Sequence, residues 1–457
     1  MSASLLRIFS SKLRSLVATA ADGRRLAFVR RAVPAALRAQ VRALFEKSVH
    51  QSVRFHRTDD WVRSDNNVQA AVRPITQPDA IYAASSGINL HGYFSRWLGL
   101  GECARLYAHA MLASHYPVAL FDVDIDIPHA RLDQTLALHM GAKSPFTRDL
   151  IFVNPDHWEE TLRSIGNDQS KKHYVIGYWF WELENFPDEW MSSLDHVDEI
   201  MVSSAFVEDA LRKVSDKPVT RVPMPIVLGN DSGLQRSHFG LAEDDYIFFC
   251  SFDFNSSIAR KNPYAVIEAF RIAFPLGDER VTLLIKTSNG HLHVPALARL
   301  LVAVESDARI LVRDDMLDRH DLQSLHRCID VYVSLHRCEG FGLGMAEAMR
   351  MAKPVVATAY SGNMEFMTTA NSCLVDYRLV AVKTGEYPHA IGQRWAEPDA
   401  SHAAHFFSTL YNDRTFASRM GAQAKIDMET GFSVDACMSV LARRLREIDL
   451  ELLTNAK

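Results

Sequence analysis

From residue 86 onward the chain alternates short apolar runs with longer stretches in which apolar positions recur every three or four residues. INLHGYF (88–94) and YPVALFDVDI (116–125) predict strands around the helical ECARLYAHAMLASH (102–115). DLIFVN, HYVIGYWFW and EIMVSS predict further strands, each followed by a helix. Residues 216–245 hold Pro218, Pro223, Pro225, Gly229 and Gly233 and read as a linker. A second series then begins at YIFFCSF (246–252) and runs through VTLLIKT (281–287), ARILVRD (308–314), VYVSLH (331–336) and PVVATAY (354–360). Helices are predicted between them at 263–274, 295–305, 320–328 and 342–352. Strand–helix alternation with β-branched strands implies parallel sheets covered by helices on both faces. The fold class is therefore α/β, with two Rossmann-like domains facing across a cleft, where ligands lie beyond the carboxyl ends of the strands.

The expected organisation is a basic helical extension (1–85), an N-terminal acceptor domain (86–225), a C-terminal domain (226–430) and a final amphipathic helix (431–457). Met438, Leu441, Leu445, Ile448 and Leu452 line that helix, which packs on a domain surface, the N-terminal domain being one candidate.

Charge changes this picture at one end only. The net charge is −5, yet residues 1–58 carry twelve Lys or Arg against Asp22 and Glu46. Leu5, Phe9, Leu13, Leu16 and Val17 can share one helical face, while Arg7, Lys12 and Arg14 interrupt any signal-peptide core. Three roles suit this arm: a solvated extension, peripheral contact with an anionic membrane face, or an organelle transit segment, since the first 21 residues are acid-free and Ser-rich. The 48% hydrophobic and 23% charged content is ordinary for a soluble chain. Six scattered cysteines without a C-x-x-C pair argue for reduced thiols and a cytosolic setting.

Several motifs promise chemistry weakly. Asp122, Asp124 and Asp126 resemble a carboxylate metal site, but alternate acids at a strand end also make one solvated face. There is no H-E-x-x-H spacing, no P-loop around Lys143 and no basic stripe interleaved with aromatics, so nucleic acid is not an expected partner.

Residues 330–376 are richer. A strand (331–336) runs into Cys338-Glu339-Gly340-Phe341-Gly342-Leu343-Gly344, and Glu347 lies one to two turns into the helix that follows. Glycines let backbone approach a ligand closely and leave the first helical N–H groups free to face an anion. A diphosphate over the helix N-terminus would then have carboxylates near the sugar at either end. The bland alternative is that the glycines merely permit close helix–sheet packing.

These residues resemble a known family. Glu339 to Glu347, as E-x7-E inside CEGFGLGMAEAM, is similar to the signature of retaining GT-B glycosyltransferases of family 4 (group 1). Arg260-Lys261-Asn262 resembles the family's basic pair before a C-terminal-domain helix. Pro354–Thr358 followed by Tyr360, Ser361, Gly362 and Asn363 resembles its strand and phosphate/base loop. Gly99-Leu100-Gly101-Glu102 resembles the glycine-rich first loop, and YWFWELENFP (178–187) and WAEPD (395–399) resemble bacterial polysaccharide and O-antigen assembly members. The resemblance covers about 85–430.

By resemblance, the chain transfers a hexose from a nucleotide-diphosphate sugar to a glycan or lipid-linked acceptor in surface polysaccharide synthesis. Glu339, Lys261 and Glu182 are the catalytic candidates. Glu347, Gly340, Phe341, Gly342, Leu343, Ser361, Gly362, Asn363, Gly99 and Gly101 are the donor-binding candidates. Where the family places an arginine this chain has Asn255, so Arg260 or Lys286 is the expected second phosphate cation. Trp179, Trp181 and Glu184 are acceptor candidates, although a buried aromatic strand end suits the tryptophans too. Neither metal nor cofactor is expected. The setting is the cytoplasm, with the inner membrane face reached through the arm as one option. Two rivals remain: another GT-B reaction (epimerase or phosphorylase), and a non-catalytic glycan-binding domain.

Overall fold

A computed structural model describes residues 53–57, 87–141, 145–166 and 173–455. The first strand, β1 (Arg54–Arg57), precedes an N-terminal lobe of β2 (Ile88–Gly92), α1 (Gly99–Ala113), β3 (Val118–Asp122), β4 (Arg148–Phe152), α2 (Trp158–Ile165), β5 (Tyr174–Tyr178), β6 (Glu199–Val202), α3 (Ala205–Arg212) and β7 (Val219–Arg221). The C-terminal lobe follows as β8 (Tyr246–Asp253), α4 (Ile258–Lys261), α5 (Pro263–Ala273), β9 (Val281–Ser288), α6 (Val294–Val304), β10 (Ile310–Asp314), α7 (Arg319–Cys328), β11 (Val331–Ser334), α8 (Leu343–Arg350), β12 (Val355–Thr358) and β13 (Cys373–Val375). A hairpin of β14 (Tyr377–Ala381) and β15 (Arg394–Pro398), then α9 (Ala400–Asn412), α10 (Arg414–Gly431) and α11 (Val434–Asn455), complete the described chain.

Among the described residues, the N-terminal lobe is a sheet in the order β3-β2-β4-β5-β6-β7 and the C-terminal lobe one in the order β1-β10-β9-β8-β11-β12-β13. All pairings within both are parallel. The apolar runs explain this: every residue of β2, β4, β6 and β9 is buried, as a strand covered on both faces requires. The two sheets have the arrangement of a GT-B fold.

Three features differ from the sequence reading. Residues 54–57, expected within a helical extension, form a strand that pairs in parallel with β10 as an edge of the C-terminal sheet. RFHR is short and charged, and Arg54 and His56 alternate with less exposed neighbours, so it carries no core signal. The other residues of that extension, with the amphipathic face, the membrane contact and the transit segment assigned to them, lie outside the described residues. β7 falls inside the expected linker and closes the N-terminal sheet beside β6. Two of the aspartates of 122–126 are tied locally: Asp122 accepts from the Ser95 hydroxyl at 2.6 Å, and Asp124 pairs with Arg131, while Asp126 is exposed.

α11 returns to the N-terminal lobe. Leu441, Leu445 and Ile448 are fully buried, whereas Leu452 stands off the stripe. Arg444 pairs with the buried Glu199 at 2.9 Å, and Arg148 donates to the Leu445 carbonyl at 2.9 Å. The six cysteines are unpaired. No described helix is long and apolar enough to cross a membrane.

Candidate active site between the lobes

A cleft of about 460 Å³ lies between the lobes, at the carboxyl ends of β8 and β11. Its C-terminal wall begins with α4, which is four residues long for a local reason. Ser257 (φ 67°) enters it with its hydroxyl on the Arg260 amide, and Asn262 (φ 50°) stops it in a left-handed turn, after which Pro263 starts α5. That turn aims Arg260 and Lys261 at the loop after β11.

There Lys261 Nζ donates to Glu339 Oε1 at 2.5 Å, and Arg260 lies 3.1 Å from Glu339 Oε2. Arg260 also donates to the Cys338 carbonyl at 3.0 Å and sits 3.8 Å from Glu182 of the other lobe. Burial pushes the Glu339 carboxyl up, but Lys261, Arg260 and His336 more than reverse it, holding it at about 2. Burial likewise lowers Arg260, and Glu339 and Glu182 overcome this and raise it. Glu339 is therefore a fixed anion at neutral pH.

The loop is braced from behind. The Glu339 amide donates to Ser361 Oγ at 2.8 Å, and the Gly362 amide to the Glu339 carbonyl at 2.8 Å. A Cβ at Gly362 would come within 2.1 Å of the Gly340 carbonyl, so no larger residue fits. Gly342 (φ 99°) caps α8 in a conformation that side chains avoid, and the first turn of that helix faces the cleft. Across the gap, the Ser204 hydroxyl donates to the Gly340 carbonyl at 2.7 Å, and the Ala205 amide to Glu365 at 2.9 Å.

The N-terminal wall comprises Tyr93, Leu98, Gly99, Leu100, Cys103, Ile127, His129, Asn154, Asp156, His157, Phe180 and Glu182, with no Lys or Arg. Burial raises the Asp156 carboxyl and lowers the His129 imidazole, the latter despite Asp253 nearby. Asn255 donates to His129 at 3.4 Å and contacts His293 at 2.8 Å.

A second cluster lies beside the cleft. Arg319 Nη1 is 2.9 Å from Glu347 and 2.6 Å from Glu102 of α1, while its Nη2 donates to the Val227 carbonyl at 3.0 Å. Burial and Glu102 raise the Glu347 carboxyl against the pull of Arg319. Burial also pushes Glu102 up, but Arg319 and Arg105 bring it down.

The structure thus brings Glu339, Lys261, Arg260, Glu182, Gly340, Phe341, Gly342, Leu343 and Gly99 to one cleft. It places others elsewhere. Trp179 and Trp181 do not face it: they are 0% and 2% exposed, Trp179 packing edge-on to Trp158 and Trp181 donating its indole N–H to the Asn185 carbonyl. Glu184 is engaged at the lobe junction by the Tyr360 phenol at 3.2 Å. Gly101 serves close packing, since a Cβ there would meet the Tyr93 carbonyl at 2.5 Å. Ser361, Gly362 and Asn363 support the loop from behind; Asn363 is bonded to the Thr358 carbonyl and His336. Lys286 is buried on β9 outside the cleft lining, with burial lowering it against Asp315, Asp253 and Asp314. Glu347 is held by Arg319 outside the lining. The sequence reading missed Arg319, His129 and Asp156. Only Asp318, which caps α7 through the Asp321 amide, hinted that Arg319 opens a helix.

Residues 254–385 match the family model described as Glycosyl transferases group 1. No curated protein matches the chain. Solved structures share the fold at low identity. A glycosyltransferase from Rickettsia africae is 14% identical, with 82% of this chain and 100% of that one covered and a TM-score of 0.57. Sucrose-phosphate synthase from Thermosynechococcus elongatus is 16% identical over 81% and 100%, with a TM-score of 0.56. Anabaena HepE, solved with UDP and glucose, is 13% identical over 79% and 99%, with a TM-score of 0.55. The chain spans 55% of the length of Staphylococcus aureus TarM, with 65% of this chain covered, 14% identity and a TM-score of 0.47.

Proposed function

We propose that this glycosyltransferase moves a hexose from a nucleotide-diphosphate sugar to a hydroxyl of a glycan or lipid-linked acceptor, with retention of anomeric configuration. The observation that carries the reading is the Glu339 carboxylate, held ionised by Lys261 and Arg260 at the mouth of a glycine-lined loop. HepE, solved with UDP and glucose, has the same fold and makes a uridine nucleotide sugar the first donor to try.

Breaking the sugar–phosphate bond places positive charge on the sugar ring and negative charge on the leaving diphosphate. Lys261 and the N–H groups opening α8 would take up the negative charge as it develops, which lowers the barrier more than it stabilises the bound donor. Glu339 would accept hydrogen bonds from the sugar hydroxyls and fix the ring. Glu347, paired with Arg319 beside the cleft, would hold the ribose where the donor reaches that edge. Arg260 is already committed to Glu339, Glu182 and the Cys338 carbonyl, so its part is to hold the loop. With Lys261 and amide dipoles on the diphosphate, the reaction would run without a metal. The acceptor would enter against Glu182 and Asp156, carboxylates able to accept from its hydroxyls. Surface polysaccharide synthesis on the cytoplasmic membrane face is the setting that suits such an acceptor.

The test is transfer from UDP, GDP, dTDP and ADP sugars, scored by nucleotide release that depends on acceptor. Glu339→Gln should lower turnover about a hundredfold while keeping nucleotide binding. Full turnover in that variant would remove Glu339 from the reaction; nucleotide release without acceptor would point to a different GT-B reaction.

A further inference from the structure

Three parts of the molecule converge on one guanidinium. Glu102 comes from the first turn of α1 in the N-terminal lobe, Glu347 from α8 in the C-terminal lobe, and the Val227 carbonyl from the segment joining the lobes. Arg319 reaches all three at 2.6, 2.9 and 3.0 Å. Its single charge faces two carboxylates. Glu102 has a second cation in Arg105, at 2.8 Å, whereas Arg319 is the one cation beside Glu347 among the described residues. The position and charge of Glu347 are therefore set by a residue of the same lobe that is itself anchored on the other lobe.

We propose that Glu102 is a positioning residue of the donor site: through Arg319 it ties the N-terminal lobe to Glu347, so that this carboxylate is seated for the donor only while the two lobes are together. The proposal rests on the reading of Glu347 as a donor-binding residue. It gives the glycine-rich turn of α1 a task that needs no contact with the donor. Gly101 lets α1 start hard against the Tyr93 and Arg96 carbonyls, and that packing brings Glu102 to Arg319. Around Glu347 stand Arg319 and Glu102, with Arg105, His109 and Asp133 behind them and the Cys103 thiol and Tyr332 phenol at the side. Arg319 favours the ionised form of Glu347 and Glu102 opposes it, so removing either partner must move its titration in opposite directions.

The experiment is a carboxyl carbon-13 NMR titration of the glutamate-labelled, ligand-free full chain, with Glu347→Gln identifying the resonance. Glu102→Gln should shift the Glu347 midpoint to lower pH, and Arg319→Gln to higher pH. A purely packing role would not move the two variants apart. Arg319→Met, which also removes the charge, replaces Arg319→Gln should that variant fail to fold. At neutral pH, Glu102→Gln should weaken binding of the nucleoside diphosphate that the wild-type chain prefers among UDP, GDP, ADP and dTDP by about fivefold, with partial recovery in Glu102→Asp. An unmoved Glu347 titration in Glu102→Gln overturns the proposal, as does unchanged nucleotide affinity. Opposite titration shifts in a protein that binds none of the four nucleotides would uphold the tie between lobes and remove Glu347 from the donor site.

Discussion

Tyr387, on the loop between β14 and β15, donates its phenol proton to Glu182 Oε2 at 2.8 Å and so joins the C-terminal hairpin to the N-terminal wall of the cleft. The contact explains why Trp181 is closed to ligands while its neighbour Phe180 lines the cleft. Trp181 packs against Tyr387 and His389 of the hairpin and Trp190 of its own lobe, and Gln393 donates to the Asn185 carbonyl at 2.7 Å. Burial and Glu182 together push the Tyr387 phenol well above its ordinary range, so it stays a donor at any pH the protein meets.

Removing that proton tests the junction. Tyr387→Phe keeps the ring in place and leaves Glu182 with Arg260 at 3.8 Å as its remaining partner. A hydrogen bond to a charged group contributes about 2 kcal/mol. Urea unfolding should show a loss of that size, and an unchanged midpoint would mean the hairpin is held by ring packing alone.

Lys261→Met should lower turnover about a hundredfold, the usual effect of losing one charge-stabilising contact at a reacting centre. It also carries a pH signature. Glu339 sits at about 2 in the fold against an ordinary 4.5, so its contribution to stability is present above 4.5 and is lost as pH falls towards 2. Without Lys261 the folded value rises and that contribution shrinks. Denaturation midpoints at pH 3 and pH 6 should lie closer together in the variant than in the wild type.

Gly362→Ala should destabilise the C-terminal lobe by about 2 kcal/mol, because the added methyl meets backbone rather than a movable side chain. Differential scanning calorimetry reads this directly. Turnover should fall with it, since the displaced atoms are those of Gly340 and Phe341.

Deleting residues 1–58 should cost stability as well as any membrane contact. It removes β1, the Arg57–Asp314 pair at 3.0 Å and the Arg54 bond to the Gly240 carbonyl, leaving β10 as a bare edge. A lower melting temperature and aggregation are the expected outcome. Vesicle binding is better probed by neutralising basic residues within 7–47 while keeping 53–57.

Much of this was legible because a strand buried on both faces carries a run of apolar residues, and β8 to β12 each do, with polar residues gathered mainly at their carboxyl ends. The loop from Cys338 to Gly344 was legible for a similar reason: glycines are tolerated at Gly342 and Gly362 only where backbone must turn or touch. The tryptophans were not legible. An indole beside a carboxylate at a strand end has the same sequence whether a cleft or the other lobe lies in front of it. Arg319 was hidden likewise, since its partners Glu102 and Glu347 meet only once the lobes are assembled.

Neither lobe is a continuous piece of chain. The C-terminal sheet is finished by Arg57 reaching Asp314 across 257 positions, and the N-terminal lobe by Arg444 reaching Glu199 across 245. During synthesis the first strand must wait for β10, and the N-terminal lobe for α11. Closures at such separations are slow, so the nascent chain carries an unpaired first strand until β10 emerges and an uncovered N-terminal lobe until α11 does.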